Sequence, residues 1–143
     1  MTTPIYVLNG PNLNLLGTRE PEIYGQETLD DIRDSLLKAA GDRKIEFRQT
    51  NGEGELVTWV QEASKKGSAL ILNAGAYTHT SVALHDALRA CTVPVIEVHL
   101  SNPAARESFR HTNYVAPAAT ATIAGLGSRG YQFALEAAIK MTA

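Results

Sequence analysis

An arginine and a tyrosine carried on one long loop are the first candidates for chemistry in this chain. Residues 9–25, NGPNLNLLGTREPEIYG, follow a short apolar run and present Arg19 and Tyr24 among Gly, Pro and Asn. Connections longer than about 12 residues without secondary structure of their own are uncommon in compact domains and usually serve as lids or binding loops. A free phenol ionises near pH 10. A guanidinium beside it favours the phenolate, so the pair predicts a strong base at neutral pH under a closing loop.

A second group centres on His99. It ends the apolar run Pro94–Val98 two positions after Glu97, and strand alternation puts both side chains on one face. A carboxylate beside an imidazole orients the ring and supports its protonated form. The two readings are an acid–base pair and a buried structural pair. Asn102-Pro103 then reads as an N-cap with proline at the first helical position, opening a short helix on which Arg106 and Arg110 share a face. With the backbone N–H groups of Leu100 and Ser101 they would suit an anion such as a substrate carboxylate; the alternative is a solvated face paired with acids such as Glu107. For His79, between threonines, ligand contact and structural hydrogen bonding are equally open. His85 and His111 read as solvated or interface residues.

Other chemistries find less support. The histidines lack the H-x-x-x-H or H-E-x-x-H spacing of zinc sites. Cys91 is the only cysteine, which excludes an intrachain disulfide, and its place on an apolar stripe predicts a buried thiol. Gly125-Leu-Gly127-Ser-Arg-Gly130 matches G-x-G-x-x-G but follows the last strand, where no strand-helix-strand unit remains to hold a dinucleotide; a turn with close helix packing is expected. Asn9 and Asn73 replace the acids that a phosphoacceptor domain needs at those strand exits. The five lysines fall on polar helical positions or before a strand, unlike Schiff-base nucleophiles.

The elements that must position these groups alternate. Apolar runs at 5–8, 45–47, 69–72, 93–98 and 121–126 read as strands, and 29–40, 56–63, 82–91 and 131–139 as helices. Thr28 and Asp31 form a capping-box pattern before the stripe Leu29, Ile32, Leu36 and Ala40. Strands interleaved with helices predict an α/β fold: a five-stranded parallel, flavodoxin-like sheet of order 2-1-3-4-5 with helices on both faces. Ligands bind such sheets at the carboxyl ends of the strands. The exits of strands 1, 3 and 4 would then line one rim.

The length of 143 residues predicts one domain over 1–143, and 44% hydrophobic residues with net charge −2 are ordinary globular values. The chain lacks a basic stripe for nucleic acid, an apolar run of membrane length and a signal-peptide pattern, so a cytoplasmic protein with a small-molecule partner is expected. Two rivals are a flavodoxin-like ligand-binding module and a non-catalytic assembly subunit. Pro11 and large residues at the first strand exit do not suit the Ser/Thr/Gly-rich phosphate loop of the former.

Asn12, Arg19, Tyr24, NAGAYTHTSVALHDAL from Asn73 and EVHLSNPAARESFR from Glu97 together make the chain closely resemble type II 3-dehydroquinate dehydratases over essentially its whole length. The resemblance implies cofactor-free loss of water from 3-dehydroquinate through an enolate, in the shikimate pathway or in quinate breakdown. It implies Tyr24 as proton acceptor with Arg19 favouring the tyrosinate and Arg106 as a second cation nearby. Asn12 would hold the enolate through a water, and His99, oriented by Glu97, would protonate the leaving hydroxyl. Asn73, Leu100 and Ser101 match the carboxylate contacts, and His79, Asp86 and Arg110 those of the ring hydroxyls. It also implies a homododecamer, a tetramer of trimers in which Asp86 reaches a neighbouring site. The chain departs from the family at Ala74, where proline is common and whose absence would loosen the substrate loop, and at Thr120-Ala-Thr122, a departure expected to affect subunit packing.

Overall fold

A computed structural model describes residues 3–18, 20, 22 and 26–143. Arg19 and Tyr24 lie outside the described residues. Strands β1 (Ile5–Asn9), β2 (Ile45–Gln49), β3 (Ala69–Asn73), β4 (Val95–His99) and β5 (Ala121–Ala124) form one parallel sheet of order β2-β1-β3-β4-β5, as the alternation predicts.

Period-two alternation divides the core into two layers. Ile5, Val7, Ile71, Ile96 and Val98 pack under α1 (Leu29–Ala40) and α4 (Arg129–Met141). Tyr6, Leu8, Leu70, Leu72 and Val95 pack under α2 (Glu53–Lys66) and α3 (Val82–Arg89). The central strands β1, β3 and β4 are buried along their whole length, which is why they read as continuous apolar runs. β5 is an edge strand with mostly exposed side chains.

Helix ends follow local chemistry. Thr28 caps α1 through a complete capping box with Asp31, and Leu29, Ile32, Leu36 and Ala40 are its buried stripe. α2 extends beyond its apolar stretch at both ends, because Glu53 and Glu55 start it and Lys65 and Lys66 finish it in accord with the helix dipole. α3 stops at Arg89, short of Cys91: the Thr92 N–H donates to Ser64 Oγ at 2.9 Å and draws the chain off the helical path. The expected burial of Cys91 is therefore corrected, for its thiol is only half-buried just past the helix.

The glycine-rich segment before α4 is a turn, with positive φ at Gly125 and Gly127. At Gly130 a Cβ would stand in ordinary van der Waals contact with Ile123 and Val98, so this turn of the helix lies against the sheet. The closest approach is at the rim, where a Cβ on Gly10 would stand 2.3 Å from the Ala74 carbonyl oxygen. Only glycine lets the exits of β1 and β3 pass each other there. Ala74 is buried, and its carbonyl accepts from the Tyr77 N–H at 3.2 Å, so the segment is anchored without a proline.

Candidate active site

The exits of β1, β3 and β4 meet around a cavity of about 90 Å³. The first supplies Pro11, Asn12 and Leu13; the second Asn73, Gly75, Ala76 and His79; the third His99, Leu100, Ser101, Pro103, Arg106 and Arg110. Parallel strands pointing the same way bring these three distant segments to one rim.

Glu97 and His99 lie on the β4 face opposite Ile96 and Val98. The His99 ring is 6% exposed and lines the cavity, whereas Glu97 behind it is 0% exposed. An ionised carboxylate only accepts, so His99 Nε2 donates to Glu97 Oε2, at 2.5 Å. Glu97 has two further donors. Asn113 Nδ2 reaches Oε2 at 2.8 Å, and Thr122 Oγ1 reaches Oε1 at 2.7 Å. Burial alone would raise this carboxyl. The hydrogen bond and charge of His99, then the bonds from Thr122 and Asn113, hold it below the ordinary carboxylate range.

His79 stands across from His99 with ring centroids 6.5 Å apart. Its Nδ1 bonds the Thr112 carbonyl oxygen at 2.7 Å, the structural hydrogen bond, and the residue also lines the cavity. Burial lowers its proton affinity, partly offset by the bond to Thr112.

Asn73 is fixed on both ends of its amide. Its Oδ1 accepts from the Gly75 N–H at 3.2 Å, and its Nδ2 donates to the Tyr131 hydroxyl at 3.0 Å. That hydroxyl in turn donates to Asn9 Oδ1 at 2.6 Å, and burial pushes the phenol well above its usual range. The spacing that marks Tyr131 as a core residue gives no sign that its hydroxyl ties β1 to β3 beneath the cavity floor.

One expectation fails here in form. Arg106 and Arg110 do not share a helix: Pro103–Ala105 is one 3-10 turn, Arg106 is extended at φ −108°, and Ser108–Arg110 is a second such turn. Asn102 does cap the first turn, accepting from the Ala104 N–H. A 3-10 turn of three residues cannot carry a side chain at i+4 on the same face. The two arginines still converge on the cavity, and both lie near Glu107, Arg110 Nε at 2.8 Å from Oε1 and Arg106 Nε at 3.7 Å. Arg106 Nη1 also donates to Ser101 Oγ at 3.2 Å.

Asp86, His85 and His111 lie outside the lining of this cavity, whereas Asn12 belongs to it. Asp86 is exposed on α3 and is not among the residues lining this cavity. His85 Nδ1 bonds the Tyr114 carbonyl oxygen at 2.7 Å, and His111 Nε2 bonds that of Arg106 at 3.2 Å. Asn12 lines the cavity from a left-handed backbone, φ 69°, with its N–H on Asn51 Oδ1. Among the described residues no cluster of three or more His, Cys, Asp or Glu side chains is placed to hold a metal ion. Nor is any helix long and apolar enough to cross a membrane.

Thr122 is a contact that sequence reasoning missed. The departure at 120–122, expected to bear on subunit packing, places one hydroxyl on Glu97 and another, Thr120 Oγ1, under the Val95 N–H at 3.1 Å. The register explains it, since Thr122 is the β5 partner of Glu97 on β4. Parallel partners project to one face, a relation hidden until the pairing is known.

Comparison with known proteins agrees with this arrangement. Residues 3–139 match the family described as Dehydroquinase class II. The chain is 68% identical to a 3-dehydroquinate dehydratase of Hyphomonas neptunium, over 99% of this chain and 97% of that one. It is 59% identical to one of Phenylobacterium zucineum, over 96% and 97%. The crystal structure of a type II dehydroquinase from Propionibacterium acnes superposes with a TM-score of 0.92 at 44% identity, covering 97% of this chain and 98% of that one. Fold, rim and sequence together place this chain in the class II dehydroquinase family.

Proposed function

We propose that the cavity at the exits of β1, β3 and β4 binds 3-dehydroquinate and that His99 delivers the proton to its departing hydroxyl. The activity of the chain is that of its family, a lyase reaction removing water from 3-dehydroquinate to give 3-dehydroshikimate. The observation that carries the site assignment is the Glu97–His99 pair, a buried carboxylate with all its donors in place behind an imidazole that opens into the cavity.

A proton next to a ketone is acidified because its carbanion delocalises as an enolate. Tyr24, kept ionised by Arg19 with Arg106 as a second cation, removes it. Asn12 holds the enolate through a water, as preorganised donors do for a developing oxyanion. His99, oriented by Glu97, then completes the elimination by protonating the leaving hydroxyl. Asn73, Leu100 and Ser101 receive the carboxylate, with His79 and Arg110 on the ring hydroxyls.

Asp86 serves a neighbouring subunit's cavity in a homododecamer, a tetramer of trimers; its exposure and its absence from the lining of its own cavity support that role. The chain works as one catalytic domain over 1–143 in the cytoplasm, without a cofactor, in aromatic biosynthesis or quinate breakdown. The test is ultraviolet detection of the conjugated enone formed from 3-dehydroquinate with a chelator present. Undiminished turnover is expected for the parent, and a loss of about 10²- to 10⁴-fold for Tyr24→Phe with an unchanged fold. Near-normal turnover of that variant would refute the base, and abolition by the chelator would refute metal-free chemistry.

A further inference from the structure

We propose that Thr122 is a positioning residue for the acid step: with Asn113 it keeps negative charge on Glu97 and so keeps the shared proton on the His99 imidazole. The inference rests on His99 being the acid. One proton lies between Nε2 and Oε2, and it has two possible homes. With Nδ1 protonated toward the cavity, a proton on Nε2 makes an imidazolium facing a carboxylate, and on Oε2 it leaves a neutral Nδ1–H imidazole facing a carboxylic acid. Only the first leaves His99 charged as a donor to the cavity.

In water the carboxylate would be stabilised by solvent, but Glu97 is 0% exposed. The protein supplies the substitute donors. Asn113 cannot turn its amide around, because its Oδ1 accepts from the N–H groups of both Val115 and Ala116 at 2.8 Å, which commits its NH₂ to Glu97. Thr122 Oγ1 satisfies the oxygen that His99 does not touch. Each donor lowers the energy of the carboxylate form, and hydrogen bonds to charged groups are the strong ones. The other charged or titratable groups near the pair are His79, Arg106 and Arg110, all on the cavity side. None supplies Oε1.

Thr122 suits a clean test, since it is exposed on an edge strand where valine has the same shape and good strand propensity. Thr122→Val is expected to lower kcat about ten-fold with KM changed less than about two-fold, and Thr122→Ser, which keeps the hydroxyl, to restore most of it. In a His99→Gln background the valine substitution should cost less than about two-fold, because the group it acts through is gone. The His99 ring ¹⁵N resonances should move toward neutral imidazole in Thr122→Val and stay in place in Thr122→Ser. Equal losses in both backgrounds, a KM effect matching the kcat effect, or unmoved ¹⁵N resonances would overturn the proposal. Full activity of His99→Gln alone would instead refute His99 as the acid, and the ¹⁵N resonances would still decide what Thr122 does.

Discussion

Glu62 and Glu97 each collect three donors, yet only Glu97 stands behind the cavity. Glu62 on α2 accepts both terminal nitrogens of Arg48, at 3.1 and 2.6 Å, and the Tyr6 hydroxyl at 2.6 Å. Arg48 in turn lies over the rings of Tyr6 and Trp59. Glu97 accepts from His99, Asn113 and Thr122. The contrast lies in the cationic partner. A guanidinium does not give up its proton in a protein, so the Glu62 cluster can only hold β1, β2 and α2 together. An imidazole can carry or release a proton, and the one beside Glu97 lines a cavity. The same saturation of a carboxylate thus braces three elements at Glu62 and backs a cavity-lining imidazole at Glu97.

The sharpest way to break this comparison is His99→Gln, which keeps a hydrogen-bonding side chain but cannot carry the proton. Steady-state kcat should fall about 10²- to 10⁴-fold, while the thermal midpoint shifts little. Glu97→Gln retains the shape and loses the charge. A kcat loss of about 10²-fold is expected, and thermal unfolding would show whether the protein survives it. Glu62→Gln should do the reverse, leaving kcat within two-fold and lowering stability by about 1 kcal/mol, a modest figure because the side chain is 27% exposed.

Acid sharpens the same contrast. Hydrogen bonds from Arg48, then Tyr6, lower the Glu62 carboxyl to about 2. Its folded value lies below its unfolded one, so its contribution is complete above the ordinary carboxylate range and is lost as pH falls toward 2. Urea midpoints from pH 6 to pH 2 should therefore converge between parent and Glu62→Gln. The smallest effect is expected for Tyr6→Phe. Burial, then the bond to Glu62, raises the Tyr6 phenol to about 12, so its contribution is present below pH 10 and fades as pH climbs through 12. The substitution should cost about 1 kcal/mol or less at pH 7, with the gap from parent closing in alkaline urea titrations.

The strand order, the capping box at Thr28 and the rim formed by three strand exits were legible because each depends on residue type at short spacing. Glu97 and His99 were legible for the same reason, being two apart on one strand. Thr122, Asn113 and the hydroxyl of Tyr131 were not, since each meets its partner only through a strand register or a crossing that short-range periodicity does not encode. The helix expected at 103–110 failed for a different cause. A good cap and a proline start a turn, but residues 103–110 lack the apolar stripe that would pack and prolong one.

The left-handed backbone at Asn12 sets a condition on any test of the enolate-holding role proposed for it. Asparagine tolerates φ 69° where alanine is penalised, so Asn12→Ala would strain the main chain while also deleting the amide, and the two effects would be inseparable in a rate. Glycine adopts that conformation freely. Asn12→Gly removes the amide and leaves the local geometry permitted, so it, and not the customary alanine, isolates what the amide contributes to turnover.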